Sequence, residues 1–185
     1  MSGFKYRKCL RGSQEVAELE IIGGNSVVFQ IGDLIRVDAD GFAGLVTAGD
    51  LVLGVVTGVV DQHGINIDPD AVSTPDIFTM GAANETAGAS SQKKVRYIPA
   101  LQDYLFYNDA DSALAQANLF QYMNVNDEND VDPGSASDAT LSTVRLIEID
   151  PDGDGDASKG LFQIVESFWA QNAMGTVDTG GIEAS

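Results

Sequence analysis

Four aspartates at alternate positions, Asp150, Asp152, Asp154 and Asp156 in DPDGDGD, have the spacing that comes nearest to a ligand site in this 185-residue chain. Oxygen ligands at first, third and fifth positions followed by glycine open a Ca²⁺-binding loop. The twelfth position of such a loop supplies a bidentate Glu, and here it is Leu161. Two readings follow: a plain acidic hairpin tip, or a weak oxygen-ligated cation, with Ca²⁺ as the ion. No other cofactor is expected. The chain has one histidine and one cysteine. A Ser-His-Asp or Cys-His arrangement would need His63, which stands between Gln62 and Gly64 in an expected turn, far in sequence from Cys9. A single thiol excludes an internal disulfide and a zinc site built on several thiolates. The phosphate-cradling glycine motifs do not occur. A glycosidase-type pair of carboxylates has no preferred candidates among 28 acids. The residues do not read as an enzyme.

The charge is distributed unevenly. Ten basic residues against 28 acidic ones give a net charge of −18, which repels nucleic acid and anionic membranes and favours cationic partners. Yet Lys5, Arg7, Lys8 and Arg11 all fall within the first eleven positions, where there is no acid, interleaved with Phe4, Tyr6 and Leu10. Those seven residues are the candidate partner-binding set, on an arm that docks on an acidic surface; the alternative is a frayed terminus. The opening MSGFKYRKCLRG lacks the apolar core of a secretory signal. No apolar run approaches the roughly 20 residues needed to span a membrane.

The stretch from Val27 to Val60 must organise whatever positions these groups. It is rich in Val, Ile, Leu and Phe and is cut by Gly and Asp, which suits short strands joined by tight turns. Gly32-Asp33-Leu34-Ile35 returns as Gly49-Asp50-Leu51-Val52. Strands are predicted at 27–31, 34–37, 44–47 and 51–60, the last apolar on both faces and therefore interior to a sheet, with Gly54 and Gly58 marking bends or close approach. Ile65 and Ile67 suggest one more short strand. Further strands are predicted at 93–97, 103–108, 119–125, 141–149 and 161–169. Asp111-Ser112 should cap a short helix over 113–118.

The pattern predicts a mostly β protein, a small antiparallel barrel or sandwich with one short helix and long loops. The expected divisions are an arm and edge strand at 1–24, a β-barrel portion at 25–79, a loop or linker at 80–92, a second β portion at 93–174 and a loose tail at 175–185.

VRYIPALQDYLF, ALAQANLFQYMNV and STVRLIEIDPDGDGDASKGLFQIVES, taken with the GDLV…GVV strands, resemble the capsid decoration or cement proteins of tailed bacteriophages over roughly Gly32–Val60 and Val95–Ser167. The resemblance is one of order and texture and transfers no catalytic residue. It implies a structural virion protein, made in the host cytoplasm and bound to the outer capsid surface. It implies the major capsid protein and neighbouring copies, as a homotrimer, for partners. The alternative is a calcium-binding surface-layer or adhesion module, for which DPDGDGD is the feature.

Overall fold

The computed structural model describes residues 3–10, 16–20, 28–38, 41–47, 49–61, 63–66, 77–79, 93–125, 129–135, 143–165 and 167. The protein is mostly β. In chain order the strands are β1 (Lys5–Cys9), β2 (Ala17–Glu20), β3 (Val28–Gln30), β4 (Leu34–Val37), β5 (Ala43–Leu45), β6 (Gly54–Val60) and β7 (Ile77–Thr79). There follow β8 (Lys94–Pro99), β9 (Tyr104–Asp109), β10 (Tyr122–Val125), β11 (Val131–Asp132), β12 (Val144–Ile149) and β13 (Lys159–Ile164). A six-stranded sheet runs β1-β9-β13-β12-β10-β11, a five-stranded sheet runs β2-β8-β6-β4-β5, and β3 pairs with β7. All of these strand pairings are antiparallel. The sheets are open-edged, so the arrangement is a sandwich and not a closed barrel.

The central place of β6 follows from its composition. Val55, Val56, Val59 and Val60 are all essentially without solvent contact, and β6 lies in the middle of its sheet. Val55 belongs to the core between the two large sheets, with Phe4, Leu34, Phe106, Leu146 and Phe162. Val56 and Val59 face the other way, into a second core with Phe29 of β3. A strand buried on both faces needs apolar residues at successive positions, which is what GVVTGVV provides. Gly54 is required by contact: a Cβ there would come within 2.4 Å of Ile98 O and of the Tyr97 ring. Gly58 instead follows a register shift between Val56 and Gly58 opposite β8.

Strands from both sides of the loop or linker expected at 80–92 share sheets. β8 from the second half completes the five-stranded sheet, and β1 from the first eleven residues joins the sheet built by the second half. Several expectations need correction. The helix expected over 113–118 is a single 3₁₀ turn at Gln116–Asn118 whose N-cap is Ala115, with no hydroxyl or carboxylate to cap it. Leu114 is buried in the main core instead. The strand expected from Leu119 starts at Tyr122, because Phe120 has a left-handed backbone (φ 64°). Asn66 makes only an isolated bridge to Val60 where a strand was expected, and residue 67 lies outside the described residues. So do the region 80–92 and the tail 175–185. Among the described residues no helix is long and apolar enough to cross a membrane.

Candidate docking edge

β1 turns Tyr6 and Cys9 toward the core and leaves Lys5, Arg7 and Lys8 exposed, with a register shift between Tyr6 and Lys8 where two cations stand in succession. Phe4, just before the strand, is 1% exposed and meets Phe162 edge-on at 6.4 Å between ring centroids. Tyr6 packs edge-on against Tyr104 (5.4 Å) and Phe106 (6.2 Å). In register, Lys5 pairs with Tyr107, Tyr6 with Phe106, Lys8 with Leu105 and Cys9 with Tyr104, with a shift around Arg7. The strand is fixed at its start by polar contacts. Phe4 N donates to Gly32 O (2.8 Å) and Gly3 N donates to Asn108 Oδ1 (3.0 Å). Gly3 and Gly32 both have positive φ and touch: a Cβ on Gly32 would lie 3.0 Å from the Gly3 backbone. The first residues are therefore an integral edge strand. Phe4 is spent on the chain's own core, which corrects its expected place on a partner-binding surface.

The cations remain outside. Lys5, Arg7 and Lys8 are exposed along β1, and Leu10 beyond it is 58% exposed. Arg11 lies outside the described residues. Lys5, Tyr6, Arg7, Tyr107 and Asp152 line an open concavity of ≈ 350 Å³ beside the strand. Burial and the neighbouring Asp109 carboxylate hold the Tyr107 hydroxyl above its ordinary pKa.

The acidic tip meets this edge. Arg7 Nη2 lies 3.0 Å from Asp152 Oδ1. The other tip aspartates are engaged within the β12–β13 hairpin. Asp150, itself left-handed (φ 48°), accepts the Asp154 and Gly155 N–H groups at 3.0 and 2.8 Å. Asp154 Oδ1 accepts Asp156 N (3.0 Å), and Asp156 Oδ1 accepts the Ser158 N–H and hydroxyl (3.0 and 2.7 Å). Lys159 Nζ bonds Asp154 Oδ2 and lies 3.8 Å from Asp156 Oδ2. The Lys159 hydrogen bond holds Asp154 below the usual carboxylate range, and the Ser158 hydroxyl does so for Asp156. Lys159 is raised above an ordinary lysine by the same contact with Asp154. An ammonium and backbone N–H groups thus meet the oxygens that a cation would need. Among the described residues no group of three or more His, Cys, Asp or Glu side chains is placed to hold a metal ion.

His63 sits in an exposed turn, where its N–H and that of Ile65 donate to Asp61 Oδ1 (2.8 and 2.9 Å). These bonds, that of Ile65 first, lower the Asp61 carboxyl. Cys9 is half-buried against the main core on β1 of the six-stranded sheet, whereas that turn follows β6 of the five-stranded sheet.

Two buried polar residues escaped the sequence reading. Asp33 is 2% exposed and Asn108 wholly buried. Asp33 Oδ2 accepts Gln30 N (2.6 Å), and its Oδ1 accepts Asn129 Nδ2 (3.3 Å). Asn108 Nδ2 donates to Asn129 O (2.8 Å) while its Oδ1 receives Gly3 N. The chain Asp33–Asn129–Asn108–Gly3 ties the start of β1 to the β3–β4 turn. The recurrence of Gly-Asp-Leu was the available signal. Asp33 and Asp50 each accept the N–H three residues back, from Gln30 and Thr47, after a positive-φ glycine. Both are the same turn device, with Gly at the position that a type II turn requires to be left-handed.

No protein-family model, no characterised protein and no solved structure matches this chain.

Proposed function

We propose that the protein is a structural virion component that decorates and stabilises the outer surface of a phage capsid, docking on the major capsid protein through the β1 edge. The observation that carries this reading is the placement of Lys5, Arg7 and Lys8 on an exposed edge strand that Phe4 and Tyr6 root in the core, on a chain of net charge −18. An anionic body is repelled by packaged nucleic acid, which favours the outer face of the shell. Edge lysines also discourage unwanted strand pairing, so the edge is selective for acidic partners and not merely open. Exposed ion pairs contribute only about 0–1 kcal/mol each. The cations therefore orient the contact, and exposed apolar surface such as Leu10 beside them must supply the rest. The reading includes no catalytic step and no cofactor, and neighbouring copies on the lattice, as a homotrimer, are part of it.

The test is occupancy on purified phage heads. Wild-type protein should copurify with intact heads and rebind stripped ones. Lys5→Glu/Arg7→Glu/Lys8→Glu should fold normally by circular dichroism yet lose at least tenfold in occupancy. Unchanged occupancy of a folded triple variant, or no association of wild-type protein with heads, overturns the reading.

A further inference from the structure

The concavity beside β1 is walled by Lys5, Tyr6, Arg7, Tyr107 and Asp152, and its ≈ 350 Å³ falls within the size range of small-ligand sites. Packing fixes its walls. The Tyr6 ring is held edge-on against Tyr104 and Phe106, and Lys5 stands directly across from Tyr107 in the sheet. The chain itself makes little use of the cations there. Arg36 commits two nitrogens to Asp38 and Asp50, and Arg96 commits three to Glu18 and Asn66. Arg7 commits one, to Asp152, and among the described residues Lys5 has no carboxylate partner.

The second observation is that Asp152 plays no part in holding the tip on which it stands. Asp150 accepts the Asp154 and Gly155 N–H groups, Asp154 accepts Asp156 N, and Asp156 accepts the Ser158 N–H and hydroxyl. Those three carboxylates close the tip, whereas the bond of Asp152 crosses the concavity to Arg7. A carboxylate of the chain therefore already marks where an anion sits on Arg7, and it can leave without unmaking the tip. Both side chains are about half exposed, so water competes for the pair and exchange is easy. The rest of the tip limits what can replace Asp152. Asp150, Asp154 and Asp156 have only the Lys159 ammonium beside them, so a run of anions would meet repulsion there. A single carboxylate needs only Lys5 and Arg7.

We infer that Lys5 and Arg7 seat one side-chain carboxylate, an Asp or Glu on a loop of the docking partner, and that Asp152 is the placeholder it displaces. The source follows from Asp152, itself a side-chain carboxylate on a loop, followed by Gly153, that reaches Arg7 without adding a strand to the sheet. The placeholder lowers the apparent affinity of every ligand by the fraction of time it occupies Arg7, so the edge passes over weak carboxylate contacts. The identity of the partner rests on the reading of β1 as the docking edge, whereas the seat rests on the concavity alone.

Nuclear magnetic resonance of the full chain tests the seat, reading the Arg7 Nε–H signal during titration with the acetylated and amidated tripeptide Gly-Asp-Gly. The peptide should shift that signal saturably, and its Gly-Asn-Gly counterpart should not. Asp152→Asn should bind the peptide about two- to sixfold more tightly than wild type, the gain from removing a competitor held by an exposed ion pair. Lys5→Gln should bind it about threefold more weakly. Asp103→Asn makes the same charge change at the other end of β1, beside Leu10, and should leave the affinity unchanged. Circular dichroism checks that each variant folds. The absence of a saturable shift, or equal affinity in Asp152→Asn and wild type, overturns the proposal. Pentaglutamate that binds far more tightly than the tripeptide also overturns it, because the attraction is then diffuse. So does a preference for triglycine with a free C-terminal carboxylate, which changes the source. The capsid reading fails separately. Heads that do not bind the protein refute that reading while a peptide-binding seat stands, and heads that bind a protein indifferent to the peptide refute the seat alone.

Discussion

Arg7 Nη2 lies 3.0 Å from Asp152 Oδ1, so the cationic edge strand and the acidic hairpin tip, 145 residues apart in sequence, face each other. Both side chains are about half exposed, so the pair is screened by water and contributes about 0–1 kcal/mol. Arg7→Ala and Asp152→Ala should each shift the urea midpoint only slightly, and a double-mutant cycle should give a coupling within that range. Coupling well beyond it would show that the tip braces β1. On phage heads the two changes should separate: Arg7→Ala removes a docking cation, whereas Asp152→Ala unmasks one and should bind at least as well as wild type.

Phe4 is rooted in the main core against Phe162, and this changes what truncation can test. Removing residues 1–12 deletes an edge strand of the six-stranded sheet together with a buried aromatic. Phe4→Ala alone should destabilise the fold by about 3–5 kcal/mol, the cost of emptying a buried Phe site, read as a lower urea midpoint. A loss below about 1 kcal/mol would mean that Phe4 is not packed as described. Charge reversal at Lys5, Arg7 and Lys8 leaves this packing intact and is the cleaner probe of docking.

Asp50 gives the β4–β5 region a defined response to acid. Burial raises its carboxyl, but the hydroxyl and N–H of Thr47 and the guanidinium of Arg36 outweigh that and hold it below the ordinary carboxylate value. Arg36 is raised in turn: burial opposes its charge, and the bonds to Asp50 and Asp38 prevail. A carboxyl lowered by folding contributes stability that is complete above its unfolded value, near 3.9, and is lost as pH falls through the folded one. Wild-type protein should therefore lose melting temperature more steeply than Asp50→Asn below about pH 4, while Asp50→Asn melts lower at neutral pH. Parallel curves for the two proteins would refute this role.

The class of fold was legible because it rests on patterns of short range. GVVTGVV announced a strand buried on both faces, and β6 is at the centre of its sheet with a core on either side. The repeated Gly-Asp-Leu marked two turns of one geometry. What was not legible depends on partners distant in sequence. Nothing near Phe4 reveals that Phe162 covers it, so a basic terminus read as an arm when it is an edge strand. Asn108 looks like a strand-end residue until Gly3 and Asn129 are brought to it. Phe120 broke its predicted strand because hydrogen bonds to Leu146 impose a left-handed backbone that its own propensity opposes. That strands from either side of 80–92 share sheets was not legible for the same reason: strand pairing does not follow chain order.

The DPDGDGD tip is the last feature with a definite expectation. Its aspartates alternate as in a calcium loop, but their oxygens accept backbone N–H groups and two of them face Lys159. A divalent ion would have to displace that ammonium and would find Leu161 where the bidentate Glu of such a loop belongs. Calorimetric titration with Ca²⁺ should show affinity no tighter than the order of millimolar, the range of the weakest extracellular modules. Lys159→Ala leaves the carboxylates without their cation, so it should bind Ca²⁺ more tightly than wild type. It should also melt higher with added Ca²⁺ than without, while wild-type protein is little affected. A micromolar site in the wild-type protein, or a Lys159→Ala variant indifferent to Ca²⁺, would show that Lys159 does not fill the cation's role. The first result would revive the calcium-dependent adhesion reading.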